Sequence, residues 1–372
     1  MRLLFILLLC SCSSTSFKDF FNSSENSNKR NEELMKDFKV NEKVLKKFEV
    51  KELSSEEASE ESEKSVSRVD LENTEKIKTE AKEESKKVVK KLVPKKPIPS
   101  KKRIEQTNIV NKKVVRTSRQ YPKDYPSEFK KQDKISEKFW DGYKPFLFEN
   151  EKMVLDIKYL GISTGTIVIE TKPSTLLGSE PVYHLQTRVK TSRYYSYLYE
   201  IDDLCDSYVS KKSFIPLKFS LIQRESAQNI DDLQLFDQSN FTTYSFYKRE
   251  TKEKTKKSKK SKTIPYFYQD PFSVLYFVRG LPMTVGAKYE IPIVNQGKIE
   301  HLKVTVMGNE SLSTKIGDVE TYKVDLETKY KGDTIKGGHM TFWFTVDERR
   351  IFVKFDAKIK IGNVEGVISE YK

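Results

Sequence analysis

The stretch Asp270-Pro271-Phe272-Ser273-Val274-Leu275-Tyr276-Phe277-Val278-Arg279-Gly280 constrains this chain most. Asp270 suits an N-cap, and Pro271 suits the first helical position, where a missing N–H costs nothing. Gly280 suits a left-handed stop, and Pro282 prevents the helix from resuming. Between these signals the side chains are apolar on all faces, the mark of a buried helix. The segment is too short to span a bilayer. The flanking chain reads as strands, so the expected fold is mainly β. A curved antiparallel sheet, an open or half barrel, would enclose one short helix behind a long disordered N-terminal arm.

The strand pattern starts at Lys152 and has period two. Leu302, Val304 and Val306 alternate with Lys303 and Thr305, and Tyr322, Val324 and Leu326 with Lys323 and Asp325. Phe342, Phe344 and Val346 alternate with Trp343 and Thr345. Ile351, Val353 and Phe355 follow, then a turn at Gly362-Asn363 and a last strand over Val364 to Ser369. Such meander hairpins bury one face, and the helix is the obvious cover.

Ahead of this region the composition changes. All 14 glycines lie at or beyond Gly142, and no aromatic residue occurs from Lys51 to Gln120. A Lys/Glu/Ser-rich segment of this kind buries too little to offset its ordering entropy. Residues 12–138 therefore read as a disordered Lys/Glu/Pro linker, and residues 139–372 as the β-rich domain. Within the linker, Leu34, Phe38, Val40, Val44, Leu45 and Phe48 are spaced loosely like one helix face. They suit either a contact with lipid or a partner, or a transient helix.

Met1-Arg2 and the apolar run Leu3 to Leu9 form a short signal sequence. Leu9-Cys10-Ser11-Cys12 resembles the lipobox of bacterial lipoproteins, which implies cleavage after residue 11 and acylation of Cys12. Several acyl chains on one residue anchor stably where one would not. Ser13 and Ser14 follow without an aspartate. By resemblance to Gram-negative sorting, that implies an outer-membrane protein facing the periplasm, with palmitate among its acyl groups.

The net charge of +14 does not point to nucleic acid, because the lysines are interleaved with glutamates rather than set beside stacking aromatics. Anionic lipid or cell-wall polymer suits it better. Thr251 to Lys262 holds seven lysines and reads as a solvated hairpin loop. Gly161-Ile162-Ser163-Thr164-Gly165 fits the G-x-S-x-G of a serine hydrolase, but a β-branched run follows where the elbow needs a helix. His184, His301 and His339 lack metal-ligand spacing, so no metal is expected. Asp202, Asp203, Asp206, Asp231, Asp232 and Asp237 read as solvated turns. Arg279 suits the helix C-terminus as a cap, or a ligand's carboxylate or phosphate.

These motifs together resemble a bacterial envelope family, domain of unknown function 3108. The resemblance runs from about residue 145 to 372. It is carried by Gly161 to Gly165, Asp270 to Arg279, Pro282-Met283-Thr284-Val285-Gly286, Gly317 to Val324 and Phe342 to Asp347. It implies no catalytic residue and no cofactor. It also implies a fold related in outline to periplasmic lipoprotein carriers, in which a half-open sheet wraps a helix and holds acyl chains. The resulting expectation is a non-enzymatic, lipid-anchored binding or assembly module of the envelope. Its acyl or lipid ligand would lie against Phe272, Leu275, Tyr276 and Arg279, and its partners would be the membrane and an envelope protein. The alternative is a tether that spans the periplasm and docks a protein or cell-wall partner; a serine hydrolase is more remote.

Overall fold

The computed structural model describes residues 23–52, 120–141, 143, 145–148, 150–330, 333–359 and 362–372. The signal sequence, Cys12 and residues 53–119 lie outside them.

One antiparallel sheet dominates. Its strands are β1 (Val50–Glu52), β2 (Lys152–Tyr159), β3 (Ile162–Leu177), β4 (Glu180–Thr191), β5 (Asp202–Ser210), β6 (Pro216–Glu225), β7 (Gln228–Asp237), β8 (Thr242–Glu250), β9 (Thr255–Thr263), β10 (Lys288–Asn295), β11 (Lys298–Thr314), β12 (Gly317–Tyr330), β13 (Asp333–Thr345), β14 (Phe352–Lys358) and β15 (Asn363–Tyr371). The spatial order is β10 to β15, then β2 to β9, with β1 beside β3. The domain's ends meet at β2 and β15, where Lys152 and Lys372 exchange backbone hydrogen bonds of 2.8 and 2.9 Å. The free edges are β9 and β10, neighbours in sequence. No ladder joins them, so the sheet curls without closing. A lone parallel bridge, Gln269 with Ile293, spans part of the gap.

The chain between those edges carries helix α4 (Ser273–Gly280) through the interior, as its apolar surface requires. Asp270 is the cap: its Oδ1 accepts from the N–H groups of Phe272 and Ser273, both at 2.7 Å. Pro271 and Phe272 form the lead-in turn, so the helix starts two residues later than the capping pattern suggests. Gly280 is not the left-handed stop expected of it. It is the last helical residue, and the chain leaves through extended Leu281 at φ −72°, ψ 153°.

The strands differ by what covers them. In β11, Glu300, Leu302, Val304 and Val306 are buried and alternate with more exposed residues. In β5 every residue from Asp203 to Ser210 is buried, because both faces are covered. The outer cover is the N-terminal segment, where α1 (Ser23–Asp37), α2 (Glu42–Lys47) and β1 follow one another. Leu34, Met35 and Phe48 pack with Leu177, Val182, Tyr208, Leu233, Leu235 and Phe246 into a second core. This corrects the linker reading for residues 23–52. The spacing of Leu34, Phe38, Val44 and Leu45 serves an intramolecular contact with the sheet's outer face.

The domain boundary at 139 is corrected as well. It falls inside α3 (Ser127–Trp140). The Trp140 ring packs tilted against Phe277 with centroids 4.1 Å apart, and buried Asp133 accepts from the N–H groups of Tyr266 and Phe267 at 2.9 and 3.2 Å. Among the described residues no helix is long and apolar enough to cross a membrane.

Candidate functional site

The helix residues expected to face a ligand are in the packed interior. Phe272 is 4%, Tyr276 1% and Arg279 1% accessible, and Leu275 is half-buried. A hollow wide enough for an acyl chain would leave such side chains accessible. Arg279 neither caps its helix nor waits for an anion. Its terminal nitrogens donate to the two carboxylate oxygens of Glu151 at 2.6 and 2.7 Å, and one also donates to the Arg349 carbonyl at 2.6 Å. Tyr371 donates its hydroxyl to the same carboxylate at 3.0 Å. Arg350 supplies the C-terminal cap instead, donating to the carbonyls of Arg279 and Leu281. The reason is depth: a guanidinium in the core needs a full counter-charge, which a helix end cannot provide.

Other sequence candidates also move. Ser163 sits just after the β2–β3 turn, and the chain runs on as strand, so no strand–turn–helix elbow forms there. The aspartates read as solvated turns are mostly strand residues with buried partners. Asp206 accepts from Gln186 Nε2 and Ser27 Oγ at 2.7 Å and pairs with His184 Nε2 at 2.7 Å. Although burial pushes its carboxyl up, the His184 hydrogen bond and charge hold it below the usual range. Asp202 pairs with Arg188 and Lys190, and Asp231 with Arg224. His301 contacts Glu290 at 3.1 Å, and exposed His339 on β13 contacts Asp325 on β12 at 2.6 Å. Among the described residues, no group of three or more His, Cys, Asp or Glu side chains could hold a metal. The lysine-rich stretch is a strand rather than a loop: β9 pairs with β8 from Thr242–Thr263 to Glu250–Thr255. Lysines along an edge discourage a second chain from adding there.

What the sequence did not reveal is a cleft where the sheet stays open. It has a volume of about 770 Å³. One wall is β9, with Lys260 and Lys262. The other is the β10–β11 hairpin, with Glu290, Gln296, Gly297, Lys298, Ile299 and His301. Helix α3 lies across it and contributes Glu128, Phe129, Lys131, Gln132, Ile135 and Ser136, so four lysines and two glutamates, Glu128 and Glu290, line the cleft. Three features define its chemistry. Ile135 is 59% exposed, and Phe129, Ile299 and Tyr330 extend the apolar lining. Lys131, Lys260, Lys262 and Lys298 ring it without a carboxylate partner among the described residues; Lys298 rests over the Tyr330 ring at 5.5 Å. The Ser136 hydroxyl is buried without a hydrogen-bond partner among the described residues. The walls are fixed: Gln296 N–H donates to Gln234 Oε1 at 2.7 Å, and Asp133 is anchored by Tyr125 at 2.7 Å.

Comparison with known proteins places the chain as follows. The family model DUF3108, described as a protein of unknown function, matches residues 154–369. No curated protein matches. Among solved structures, a β-barrel-like protein of domain of unknown function DUF1849 from Brucella abortus is similar, with 10% identity, a TM-score of 0.40, and coverage of 60% of this chain and 97% of that one. A protein described as exported, with a YmcC-like fold, from Bacteroides fragilis shows 10% identity, a TM-score of 0.28, and coverage of 62% and 98%. A protein described as a lipoprotein, from Parabacteroides distasonis, shows 11% identity, a TM-score of 0.27, and coverage of 60% and 95%.

Proposed function

We propose, from the premise that this chain belongs to the DUF3108 family of proteins of unknown function, a non-catalytic, lipid-anchored module of the bacterial envelope that binds an anionic amphiphile. The lipobox-like Leu9-Cys10-Ser11-Cys12 supports anchoring through Cys12, at the outer membrane facing the periplasm. The observation that carries the ligand class is the open seam, where four lysines without a carboxylate partner among the described residues outnumber two glutamates around an apolar lining. An acyl chain with a carboxylate or phosphate head suits both parts, with tail against Phe129, Ile135 and Ile299 and head among Lys131, Lys260, Lys262 and Lys298. This moves the ligand from the helix interior, which is packed, to the seam that helix α3 spans.

A fluorescent fatty acid titrated into the purified full chain tests the reading. Saturable binding is expected, and Lys260→Glu with Lys298→Glu should weaken it about tenfold or more by replacing attraction with repulsion. Ile135→Asp should weaken it as well. Binding that ignores all three substitutions would place the ligand elsewhere, and no binding would remove the amphiphile from the function. Ser163→Ala is expected to leave the protein's behaviour in the cell unchanged.

A further inference from the structure

Two neighbouring turns at one end of the sheet expose side chains that folding does not require there. In the β4–β5 loop Tyr194 is 84%, Tyr197 87% and Leu198 77% accessible. In the β2–β3 turn Leu160 is 58% and Ile162 55% accessible. The turns stand side by side, because Gly165 at the start of β3 pairs with Thr191 at the end of β4, and Ser192 N–H donates to Thr164 O at 3.0 Å. Leu160 has φ +50°, a conformation that a two-residue hairpin normally gives to Asn, Asp or Gly. The loop is built rather than loose: Tyr195 O accepts from Leu198 and Tyr199 N–H at 2.9 and 3.2 Å, and the Tyr199 hydroxyl donates to Glu225 at 2.9 Å. A firm loop that points two tyrosines and a leucine outward is shaped for contact.

The route of the N-terminus names the surface it meets. Ser27 of α1 donates to Asp206 on β5, opposite Gln186 on β4. The chain thus leaves the body over the same two strands whose connecting loop carries the tyrosines. Asp206 is the midpoint of β5, four residues or roughly 13 Å from Asp202, where that loop ends. Residues 13–22 reach at most roughly 35 Å when fully extended. A lipid on Cys12 therefore puts the bilayer within reach of this end of the sheet, and the exposed tyrosines and leucines, which the β3–β4 and β5–β6 turns at the opposite end do not match, select it. Tyrosine with neighbouring leucine and isoleucine suits the headgroup layer, where one end of the ring is apolar and the other wet. Arg193 adds a cation beside the tip.

We propose that the Leu160–Ile162 turn and the Tyr194–Leu198 loop form a membrane-contact tip that seats in the headgroup layer of the bilayer holding the lipid anchor. The tip rests on the anchored reading above, so the experiment separates the two. The full-length lipidated chain is reconstituted into phosphatidylethanolamine–phosphatidylglycerol vesicles. An environment-sensitive fluorophore is placed at Leu198→Cys or, as a control, at Lys212→Cys, an exposed position at the opposite end of β5. Lipids brominated on their acyl chains should quench the first probe about threefold more than the second, as expected for side chains in the interfacial layer. Adding Tyr194→Ser, Tyr197→Ser and Leu160→Ser should abolish that difference; all three side chains are exposed, so folding is unaffected. Equal quenching at both sites, or none, would overturn the tip. Membrane fractionation of Cys12→Ala reports separately on the anchor.

Discussion

Arg279 and Glu151 form a two-pronged ion pair at 2.6 and 2.7 Å, with the side chains 1% and 0% accessible. This pair fixes the interior helix to the start of the domain, because Glu151 immediately precedes β2. Burial alone would lower the Arg279 pKa, but the Glu151 charge and hydrogen bonds more than reverse that effect. Removing one partner strands the other. Arg279→Met should cost about 3–5 kcal/mol in urea unfolding, and Arg279→Met with Glu151→Leu should recover most of the loss.

The Asp270 cap gives a second test. Its carboxylate satisfies two helix N–H groups and accepts from Ser207 in a site without solvent. Asp270→Ala should lower stability by about 2 kcal/mol, and Asp270→Asn, which still offers an acceptor oxygen, by less. Thermal melts of the two variants compare them directly.

Gly366 faces the ring of Phe355 across β14 and β15. A Cβ at this position would lie 2.0 Å from that ring, so a side chain fits only if the aromatic core shifts. Gly366→Ala should destabilise by about 1–3 kcal/mol, and Phe355→Leu in the same chain should relieve part of it.

Stability should depend on pH through Asp203. Burial pushes its carboxyl up to about 8, against the pull of the Gln223 hydrogen bond. The folded chain thus keeps a proton that the unfolded chain releases near pH 4. Its contribution is full below that value and is lost as pH rises through 8. Lys218 acts in the opposite sense. Burial lowers it to about 8, against the charges of Asp206 and Glu32, so its contribution is present above about 10.5 and lost as pH falls toward 8. Asp203→Asn should flatten the melting temperature between pH 4 and 8, and Lys218→Met between 8 and 10.5.

The docked N-terminal segment should respond as a unit. Leu34 is buried under α1 among Leu233, Leu235 and Phe246, and Leu34→Ala should cost about 2–4 kcal/mol of docking. Hydrogen exchange would show residues 23–37 losing protection while α4 keeps its own.

The buried helix and the late strands were legible because both carry a local pattern. The helix from Ser273 to Gly280 is apolar all round, and β11 and β12 are wetter on one face than the other, so their periods survive in the sequence. Strands β5 to β7 are covered on both faces, and Asp206, Gln186 and Ser220 are buried through partners far away in the chain. Ser220, for instance, donates to Asn31. Nothing local encodes such a pairing. The docked helix was misread for the same reason: its apolar stripe was visible, but its target was not. Arg279 was visible as a cation, yet Glu151 lies 128 residues earlier. The seam cleft depends on where two edges stop, which strand periodicity does not specify.

The placement of Glu52 against β3 and of Tyr125 against Phe241 means that residues 53–119 both depart from and return to one body. They are a closed span, not a mooring line. Whatever they touch must lie within an outward-and-back excursion of roughly 110 Å, half their stretched contour. If Cys12 carries the proposed lipid, residues 13–22 alone set how far the domain stands from that bilayer for as long as α1 keeps its grip on the sheet.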